Sequence, residues 1–384
     1  MRWRATPWLR HTADIAGAVS EVLAQGASRR PAWLANILRL NAVDFVLAAL
    51  RVRVVFVVVV GTIGTILKDR YDAAQWVDFV VFGLTIGAIY AQIALGYTMV
   101  YGVLRMINFA HGDFVMCGAF AGYYVATPLD RSGFLDAHPV LGMSAILVVA
   151  VTTSTLIALL TERIAYRPFR RTSGLAPLIC AIGVSFFLEQ TFRGMFGSAV
   201  KSYPSPAWQR TAIDVFGFKI LGVNLLVMGL AVFFMTGLYL IVQRTKMGTA
   251  MRAVAEDGEA AALMGIDVNK VVVFTFFLGG AMAGIAGVFY AFVYKQVYFF
   301  MGFTPGVKAF GAAVLGGIGN IPGAMLGGVF LGMVESIGPT LFLDGLGIPA
   351  PYQLRDMIAF TLLIMVLIFR PQGLLGEKLA KKRA

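Results

Sequence analysis

Residues 79–101 read FVVFGLTIGAIYAQIALGYTMVY, a stretch without a charged side chain. A helix that spans a membrane needs about 20 consecutive, mostly apolar residues, and this run is long enough. Because lipid offers no partners to backbone N–H and C=O groups, the run must satisfy its own hydrogen bonds as a helix. The stretch therefore predicts an α-helix that crosses a membrane.

The composition of the whole chain agrees with a membrane protein. Of its 384 residues, 59% are hydrophobic and 14% are charged, whereas soluble domains average about 25% charged residues. This composition argues against a soluble enzyme, a disordered protein or a protein that binds nucleic acid. The net charge of +12 comes from short basic stretches between apolar runs, as the positive-inside rule describes.

Further apolar runs of similar length predict more membrane helices. The predicted spans are 43–67, 79–101, 107–126, 140–161, 174–196, 220–242, 271–294 and 352–369. Another apolar stretch, 309–338, is interrupted by Gly-Asn-Ile-Pro at 319–322. It predicts either two short helices joined by a tight turn or a re-entrant hairpin. We therefore expect an all-α polytopic membrane protein with about eight to ten transmembrane helices and one broken, Gly-rich segment.

A span, a polar or Pro-containing break and a Gly/Ala-rich helix occur twice, at 79–126 and at 271–328. Because many transporters place the substrate site at broken helices between inverted halves, this order suggests an inverted repeat. Polar residues in the two breaks are candidates for a translocation path or gate. They are Asn108, His111, Asp113, Thr304 and Lys308.

These residues also have structural interpretations. Asn108 could cap the helix that follows it, and Asp113 would suit the positive end of that helix. Lys308 could lie near the outer lipid headgroups. Glu189 and Arg193 are four residues apart in one span, which predicts an internal ion pair. Glu335 is expected near the outer mouth.

Lys and Arg in short loops predict the orientation in the membrane. They place 162–173, 243–270 and both termini in the cytoplasm, and 127–139, 197–219 and 339–351 outside. The predicted organisation is a basic cytoplasmic arm at 1–42, an extra span and loop at 43–76, a transmembrane domain at 77–376 and a basic cytoplasmic tail at 377–384.

The segment 244–270 is too polar to span the membrane and is rich in alanine, which favours helix. A short helix on the cytoplasmic face could dock into a groove of a soluble partner. The alternative is a surface helix that only links two spans. If a partner docks here, certain residues of the segment are predicted to couple its movement to the membrane helices. They are Arg252, Glu256, Glu259, Ala260, Ala261 and Gly265.

Several motifs resemble a known family. Glu259-Ala260-Ala261, followed after three residues by Gly265, resembles the EAA loop of ABC importer permeases, which binds the ATPase subunits. Similarity to the LivH-type permeases for branched-chain amino acids runs through 83–112, ERIAYRPFR at 162–170, AIGVSFFLEQ at 181–190, VKAFGAAVLGGIGNIPGAMLGG at 307–328 and RPQGLLG at 370–376. This resemblance does not extend to 1–76.

The resemblance implies a permease subunit of an ATP-driven importer in a bacterial inner membrane. Its expected cargo is branched-chain or other small amino acids, moved by alternating access. The implied partners are a second related permease subunit, two ATPase subunits and a periplasmic binding protein, besides the small-molecule substrate and membrane lipid. A permease for urea or short amides is the alternative within this class.

The sequence lacks motifs for ATP hydrolysis, catalysis, metal binding or cofactor binding. There is no Gly-x-x-x-x-Gly-Lys-Ser/Thr loop, so we expect another chain to hydrolyse ATP. No catalytic constellation, metal-ligand spacing or cofactor motif is evident, and we expect no enzyme activity, cofactor or bound nucleic acid. The alternatives from other classes are a passive channel lined by 311–328 and an intramembrane enzyme that uses His111 and Asp113.

Overall fold

The computed structural model describes residues 42–170, 175–215, 217–370 and 372–375. The predicted basic arm, apart from Ala42, and the predicted basic tail lie outside the described residues. The domain boundaries at 42, 76 and 376 stay predictions.

The described chain is almost entirely helical. Its α-helices are α1 (Ala42–Lys68), α2 (Ala73–Leu104), α3 (His111–Arg131), α4 (Phe134–Ala137), α5 (Pro139–Thr161), α6 (Ala176–Phe196), α7 (Ala207–Arg210), α8 (Gly222–Arg244), α9 (Lys246–Glu256), α10 (Gly258–Leu263), α11 (Val268–Tyr294), α12 (Phe303–Gly316), α13 (Ile321–Gly338) and α14 (Arg355–Phe369). Short π or 3-10 turns follow α5, follow α13 and precede α14, at Glu162–Tyr166, Arg167–Phe169, Pro339–Asp344 and Pro351–Leu354.

In the described part of the chain, four short strands form two antiparallel pairs. They are β1 (Lys201–Ser202), β2 (Ala212–Val215), β3 (Phe218–Leu221) and β4 (Gln296–Val297). β1 pairs with β4, with Lys201 opposite Val297, and β2 pairs with β3 as a hairpin, with Ala212 opposite Leu221. Both pairs lie in connections between helices.

Among the described residues, eight helical runs are long and apolar enough to cross a membrane. They are Leu47–Lys68, Ala73–Leu104, Pro139–Phe169, Ala176–Phe196, Gly222–Arg244, Val268–Tyr294, Ile321–Asp344 and Pro351–Phe369. These runs confirm the prediction of an all-α polytopic membrane protein.

The predicted span 107–126 differs from the structure in its start. Residues 105–110 are irregular, and α3 begins only at His111. The first half of α3 is buried inside the protein. A helix that packs against protein does not need the uniformly apolar surface that lipid demands, so it can carry His111 and Asp113 in its first turn.

The broken stretch at 309–338 forms a helical hairpin, as predicted. α12 ends at Gly316 and α13 begins at Ile321. A Cβ atom at Gly316 would collide with the carbonyl group of Gly323, so the two glycines allow the helix backbones to touch. The side chain of Asn320 caps α13 by accepting a 3.1 Å hydrogen bond from the Gly323 N–H.

The two ends of the helices are chemically distinct. At one end, Arg105 donates a 2.7 Å hydrogen bond to the Ala255 carbonyl, and Arg170 donates a 2.8 Å bond to Asn269. We call this end, with its residues 105, 162–170 and 244–270, the basic face. At the other end, the Ala207 N–H donates a 2.8 Å bond to Asp136. We call that end, with 132–138, 201–221 and 339–354, the opposite face.

The inverted repeat that the sequence suggests stays a prediction, and the directions of the helices are compatible with it. α2 runs toward the basic face and is followed by an irregular break and α3, whereas α11 runs toward the opposite face and is followed by a break and α12. Both α2 and α11 end on a basic residue with left-handed backbone, Arg105 at φ 56° and Lys295 at φ 53°. α2 packs against α13, and α11 packs correspondingly against α5.

The two predicted repeats meet where α3 and α12 begin. A Cβ atom at Gly112 would lie 2.6 Å from the Gly302 carbonyl oxygen, and one at Gly302 would collide with the Gly112 carbonyl group. Only glycine fits at either position, because any side chain would push the two backbones apart. The broken helices therefore cross in direct backbone contact.

Candidate functional site

The polar residues of the first break lie together in the protein interior. Asn108 and Asp113 are each 2% exposed. The hydroxyl of Tyr166 donates a 2.6 Å hydrogen bond to Asn108 Oδ1, and the hydroxyl of Ser185 donates a 2.5 Å bond to Asp113 Oδ2. These bonds tie the start of α3 to α6 and to the turn after α5.

The prediction that Asn108 caps α3 is wrong. The capping position is Ala110, which has no side chain that can accept a hydrogen bond from the helix start. Asn108 accepts the Tyr166 hydroxyl instead, and its backbone carbonyl accepts from the His111 N–H at 3.2 Å. The tight turn at 108–111 thus removes the need for a side-chain cap.

His111 is enclosed by the helices around it. Its ring lies edge-on to Tyr97 at 4.8 Å between centroids. A Cβ atom at Gly96 would collide with the imidazole, so this glycine makes room for the ring. Within the described residues, His111 Nε2 has no hydrogen-bond partner. No group of three His, Cys, Asp or Glu side chains that could hold a metal ion occurs in the described part of the chain.

Other buried polar atoms of the described residues also lack hydrogen-bond partners. Both amide atoms of Gln92 and the hydroxyls of Thr98 and Thr155 lack hydrogen-bond partners among the described residues. Gln92 is fully buried. Buried polar groups without partners are costly, so a water molecule or a ligand that paired with them would be stabilised there.

Lys308 lies apart from this cluster, in a second polar site. Its ammonium group donates hydrogen bonds of 2.7 Å to Glu335 and 2.7 Å to Asp356, and a 3.4 Å bond to the Tyr90 hydroxyl. With 3% of its surface exposed, Lys308 is not a headgroup-facing residue, and that interpretation is wrong. The apolar surroundings oblige the ammonium to find a carboxylate, because an unpaired charge there is expensive.

An open cavity of about 430 Å³ at the opposite face adjoins this ion-pair network. Glu335 forms part of its wall, and Arg355 lies beside it with its Nε 3.8 Å from Glu335 Oε1. Apolar side chains of α2 and β3 line much of the remainder. The polar side chains there are Asp78, Lys219, Asn224, Ser336 and Tyr352.

One further expectation differs from the structure, and one stays a prediction. Glu189 and Arg193 do not form an ion pair with each other; the Arg193 guanidinium lies over the Phe299 ring, 5.5 Å from its centroid. Thr304 is partly buried in the first turn of α12. Neither polar site described above includes it.

The segment 244–270 forms two helices instead of one. α9 and α10 are separated at Asp257, whose side chain accepts hydrogen bonds from the Glu259 and Ala260 N–H groups at 2.9 and 3.0 Å. Asp257 thereby caps α10 and fixes the start of the Glu-Ala-Ala motif. Ala261 is buried beneath the motif, whereas Glu259 and Ala260 are exposed.

Two large apolar side chains follow the motif and are almost fully exposed. Leu263 is 89% exposed and Met264 is 83% exposed. Gly265 then turns the chain with a φ of 85°, a backbone conformation that favours glycine. The Lys270 N–H donates to the side chain of Asp267 at the start of α11, which lowers the pKa of that carboxyl.

Arg252 and Arg105 fix this segment to the membrane helices. Arg252 donates hydrogen bonds to the Val242 carbonyl at 3.0 Å and to Gln243 Oε1 at 2.6 Å, at the end of α8. Arg105 bonds the Ala255 carbonyl from the first break. Glu256 is exposed at the end of α9. The segment is therefore attached both to α8 and to the break before α3.

Sequence reasoning missed the ion-pair partners of Lys308. Lys308 and Glu335 were each recognisable as lone charges in apolar stretches, and Asp356 and Arg355 open the last span. The requirement that charges within a membrane pair with one another was the signal that could have joined them. Tyr166 and Ser185 carry no comparable signal, because hydroxyl groups are common in membrane helices.

The chain is similar to known transport proteins over most of its length. Residues 79–367 match the profile of the family described as branched-chain amino acid transport system / permease component. The high-affinity branched-chain amino acid transport system permease protein BraD of Pseudomonas aeruginosa is 42% identical over 314 residues, which cover 80% of this chain and 98% of that protein.

More distant relatives have similar names. The high-affinity branched-chain amino acid transport system permease protein LivH of Escherichia coli is 38% identical over 303 residues, covering 78% of this chain and 95% of that protein. A probable branched-chain amino acid transport permease protein LivH of Methanocaldococcus jannaschii is 29% identical over 288 residues, which cover 74% of this chain and 87% of that protein. No solved structure matches the chain.

Proposed function

We propose that this chain is the permease subunit of an ATP-driven importer for branched-chain amino acids. It belongs to the family of branched-chain amino acid transport system permease components. The observation that carries this proposal is the similarity to BraD across 98% of that protein, joined to a bundle with eight runs able to span a membrane among the described residues.

The proposed location is a bacterial inner membrane, with the basic face in the cytoplasm. The basic residues of the connections at that face support this orientation through the positive-inside rule. The hairpin of β2 and β3 and the connection at 339–354 would then face the periplasm, where a binding protein that carries substrate would dock.

The proposed partners are a second, related permease subunit, two ATPase subunits and a periplasmic binding protein. The surface that would receive an ATPase is formed by α10, with Glu259, Ala260, Leu263 and Met264 exposed together. Large exposed apolar side chains flanked by polar ones are typical of protein–protein contacts.

We propose alternating access as the mechanism, with ATPase movement entering through α9 and α10. Arg252 would transmit this movement to the end of α8, and Arg105 would transmit it to the first break. The break leads directly to Asn108, His111 and the contact between Gly112 and Gly302. These residues would act as the gate, because a shift at the break changes how the two repeats cross.

The named relatives favour amino acids over urea or short amides as cargo, since their names specify branched-chain amino acids. The family match begins at residue 79 and so does not include the segment 1–76.

The test of this function is uptake by the reconstituted importer. The chain is assembled in vesicles with the partner permease, ATPases and binding protein encoded beside it, and uptake of radiolabelled leucine is measured with ATP. We expect unlabelled isoleucine and valine to compete and urea and acetamide to have no effect. Uptake of urea in place of leucine would contradict the proposed cargo.

A further inference from the structure

We propose that the cavity at the opposite face is a binding site for the amino acid itself, with Arg355 holding its carboxylate and Glu335 holding its ammonium group. The inference rests on the proposed function and deepens it, because it assigns the cargo a place within this subunit.

The cavity has a suitable size and position. Its volume of about 430 Å³ falls within the range of about 300–1,000 Å³ typical of sites for small molecules. It is formed by the start of α2, the strand β3, the end of α13 and the start of α14. It is partly open at the opposite face, where a ligand delivered from the proposed periplasmic side would arrive.

Glu335 provides the first polar contact. This carboxylate is 2% exposed, and its Oε1 atom accepts a 2.7 Å hydrogen bond from Lys308. Within the described residues, its Oε2 atom is buried without a hydrogen-bond partner. Because such an acceptor is costly to leave unpaired, a ligand that brings N–H donors into the cavity would be stabilised there. Lys308 holds the carboxylate in place for that contact.

Arg355 provides the second polar contact. Its side chain is 41% exposed and lies beside Glu335, with 3.8 Å between Arg355 Nε and Glu335 Oε1. A guanidinium group can donate two parallel hydrogen bonds to a carboxylate. One wall of the cavity thus presents a fixed acceptor and a planar donor next to each other, which matches the two charged groups on the α-carbon of an amino acid.

The charges around the cavity favour a ligand without net charge. Lys308 and Arg355 are balanced by Glu335 and Asp356, which form one network of ion pairs. Asp78 and Lys219, which also line the cavity, balance each other. A zwitterion keeps this balance, whereas a purely cationic or anionic ligand would add an unbalanced charge in a partly buried place.

Part of the remaining wall is apolar and would receive an aliphatic side chain. The apolar lining includes Val81, Phe82 and Ile86 of α2 together with Ile220 and Leu221 of β3. In an apolar pocket, one missing methylene group typically lowers affinity by about tenfold or more. The site would therefore bind leucine, isoleucine and valine more tightly than alanine or glycine.

The inference is tested by ligand binding to the assembled importer without its binding protein. The permease pair and ATPases are placed in lipid nanodiscs, and equilibrium binding of radiolabelled leucine is measured. We expect leucinamide, which lacks the carboxylate, and 4-methylpentanoate, which lacks the ammonium group, to be at least tenfold weaker competitors than leucine. Equal competition by all three would overturn the inference.

Variants locate the binding site. We expect Arg355→Gln and Glu335→Gln each to weaken leucine binding at least tenfold, and Arg355→Gln to abolish the preference for leucine over leucinamide. Asp130→Asn and Arg131→Gln make matched charge changes outside the cavity and should bind as the wild type does. Unchanged affinity in both cavity variants would overturn the inference.

A third variant keeps every charge in place. Asn224→Phe adds bulk at the cavity wall without touching the ion pairs, so it avoids the risk that a broken network prevents folding. We expect it to weaken binding of leucine more than binding of alanine. An unchanged ratio between these two affinities would contradict the proposed site.

Failure of the cavity site and failure of the proposed function give different results. If the wild-type importer takes up leucine with ATP but leucine does not bind in the nanodiscs, the cavity is not a leucine site and the proposed function stands. If the wild-type importer does not take up leucine, both the proposed function and the cavity site are contradicted. If leucine binds in phosphatidylglycerol discs and is lost when phosphatidylethanolamine is added, a lipid headgroup is the occupant and the inference fails.

Discussion

At the scale of single residues, the buried charge of Lys308 is costly to desolvate and requires carboxylate partners. This ammonium group is buried among apolar helices and is held by Glu335 and Asp356 at 2.7 Å each. A buried pair contributes little net stability, because desolvation offsets the attraction of the charges. Removal of one partner is nevertheless expensive, since the other charge then stays buried alone.

We therefore expect Lys308→Met to lower the free energy of unfolding by about 3–5 kcal/mol, because it removes the 2.7 Å partner of the buried Glu335 carboxylate and leaves only the more distant Arg355 at 3.8 Å. The double variant Lys308→Met with Glu335→Leu should recover most of this loss. The measurement is equilibrium unfolding of the purified chain in mixed micelles, followed by circular dichroism.

The control for this cycle is Lys246→Met, which removes a lysine that is exposed on α9 and should leave the free energy of unfolding almost unchanged. A double variant that is as unstable as Lys308→Met, or less stable, would show that the ion pair is not what the lysine provides.

Much of the residue-scale site was predictable, and its pairings were not. Polar residues in the breaks, such as Asn108 and Asp113, stand out in an apolar chain. Their partners Tyr166 and Ser185 come from distant segments, and sequence spacing does not tell which hydroxyl groups meet them. Local helix rules predicted a pair between Glu189 and Arg193, but the nearby Phe299 ring attracts the guanidinium instead.

At the scale of elements, the connection from α8 to α11 determines how movement would enter the molecule. α9 and α10 are short, and neither is long enough to be stable alone. Their helical structure depends on the Asp257 cap, on the hydrogen bonds of Arg252 and on the left-handed turn at Gly265. The geometry of this turn sets the angle between the α10 motif and α11.

We expect Gly265→Val to uncouple the importer, because a side chain in left-handed backbone costs about 1–2 kcal/mol. That energy corresponds to about a 5–30-fold change in the population of the docking geometry. ATP-driven leucine uptake should fall accordingly, while ATP hydrolysis and membrane insertion persist. Uptake and hydrolysis are measured in the same vesicles.

Gly217→Val is the matched control. Gly217 has a φ of 86° against 85° for Gly265, and neither position has an atom within 4 Å of an added Cβ. The backbone strain is thus the same, but Gly217 lies in the β2–β3 hairpin of the opposite face. Because this hairpin lies where the binding protein would dock, the affinity for the binding protein is measured in both variants. Equal loss of uptake with unchanged affinity for the binding protein would indicate general destabilisation and contradict a coupling role for the turn.

The positions of helices were predictable from the sequence where the apolar runs are long, as in α2 and α11. The break between α12 and α13 also followed, since Gly-Asn-Ile-Pro cannot continue a helix. The start of α3 and the division at Asp257 did not follow. In both places a local turn or cap ends the helix, and helical periodicity alone does not indicate where such a turn lies.

At the scale of the whole molecule, two predicted repeats of opposite direction cross at Gly112 and Gly302. One break adjoins the segment that would receive an ATPase. The second repeat carries Lys308, whose ion-pair partner Glu335 lines the cavity. A change in the crossing would therefore connect the proposed cytoplasmic side to the proposed cargo site. The sequence suggested the repeat from the order of its elements, but the contact between the glycines required the structure.

The central claim is that this chain moves its cargo only when a separate ATPase works on it. The most direct measurement is leucine uptake by vesicles that contain the permease pair, compared with vesicles that also contain the ATPase subunits, ATP and the binding protein. We predict accumulation of leucine against its gradient only in the complete system, and none when the ATPase subunits or ATP are left out. Uptake at the full rate by the permease pair alone would contradict the claim.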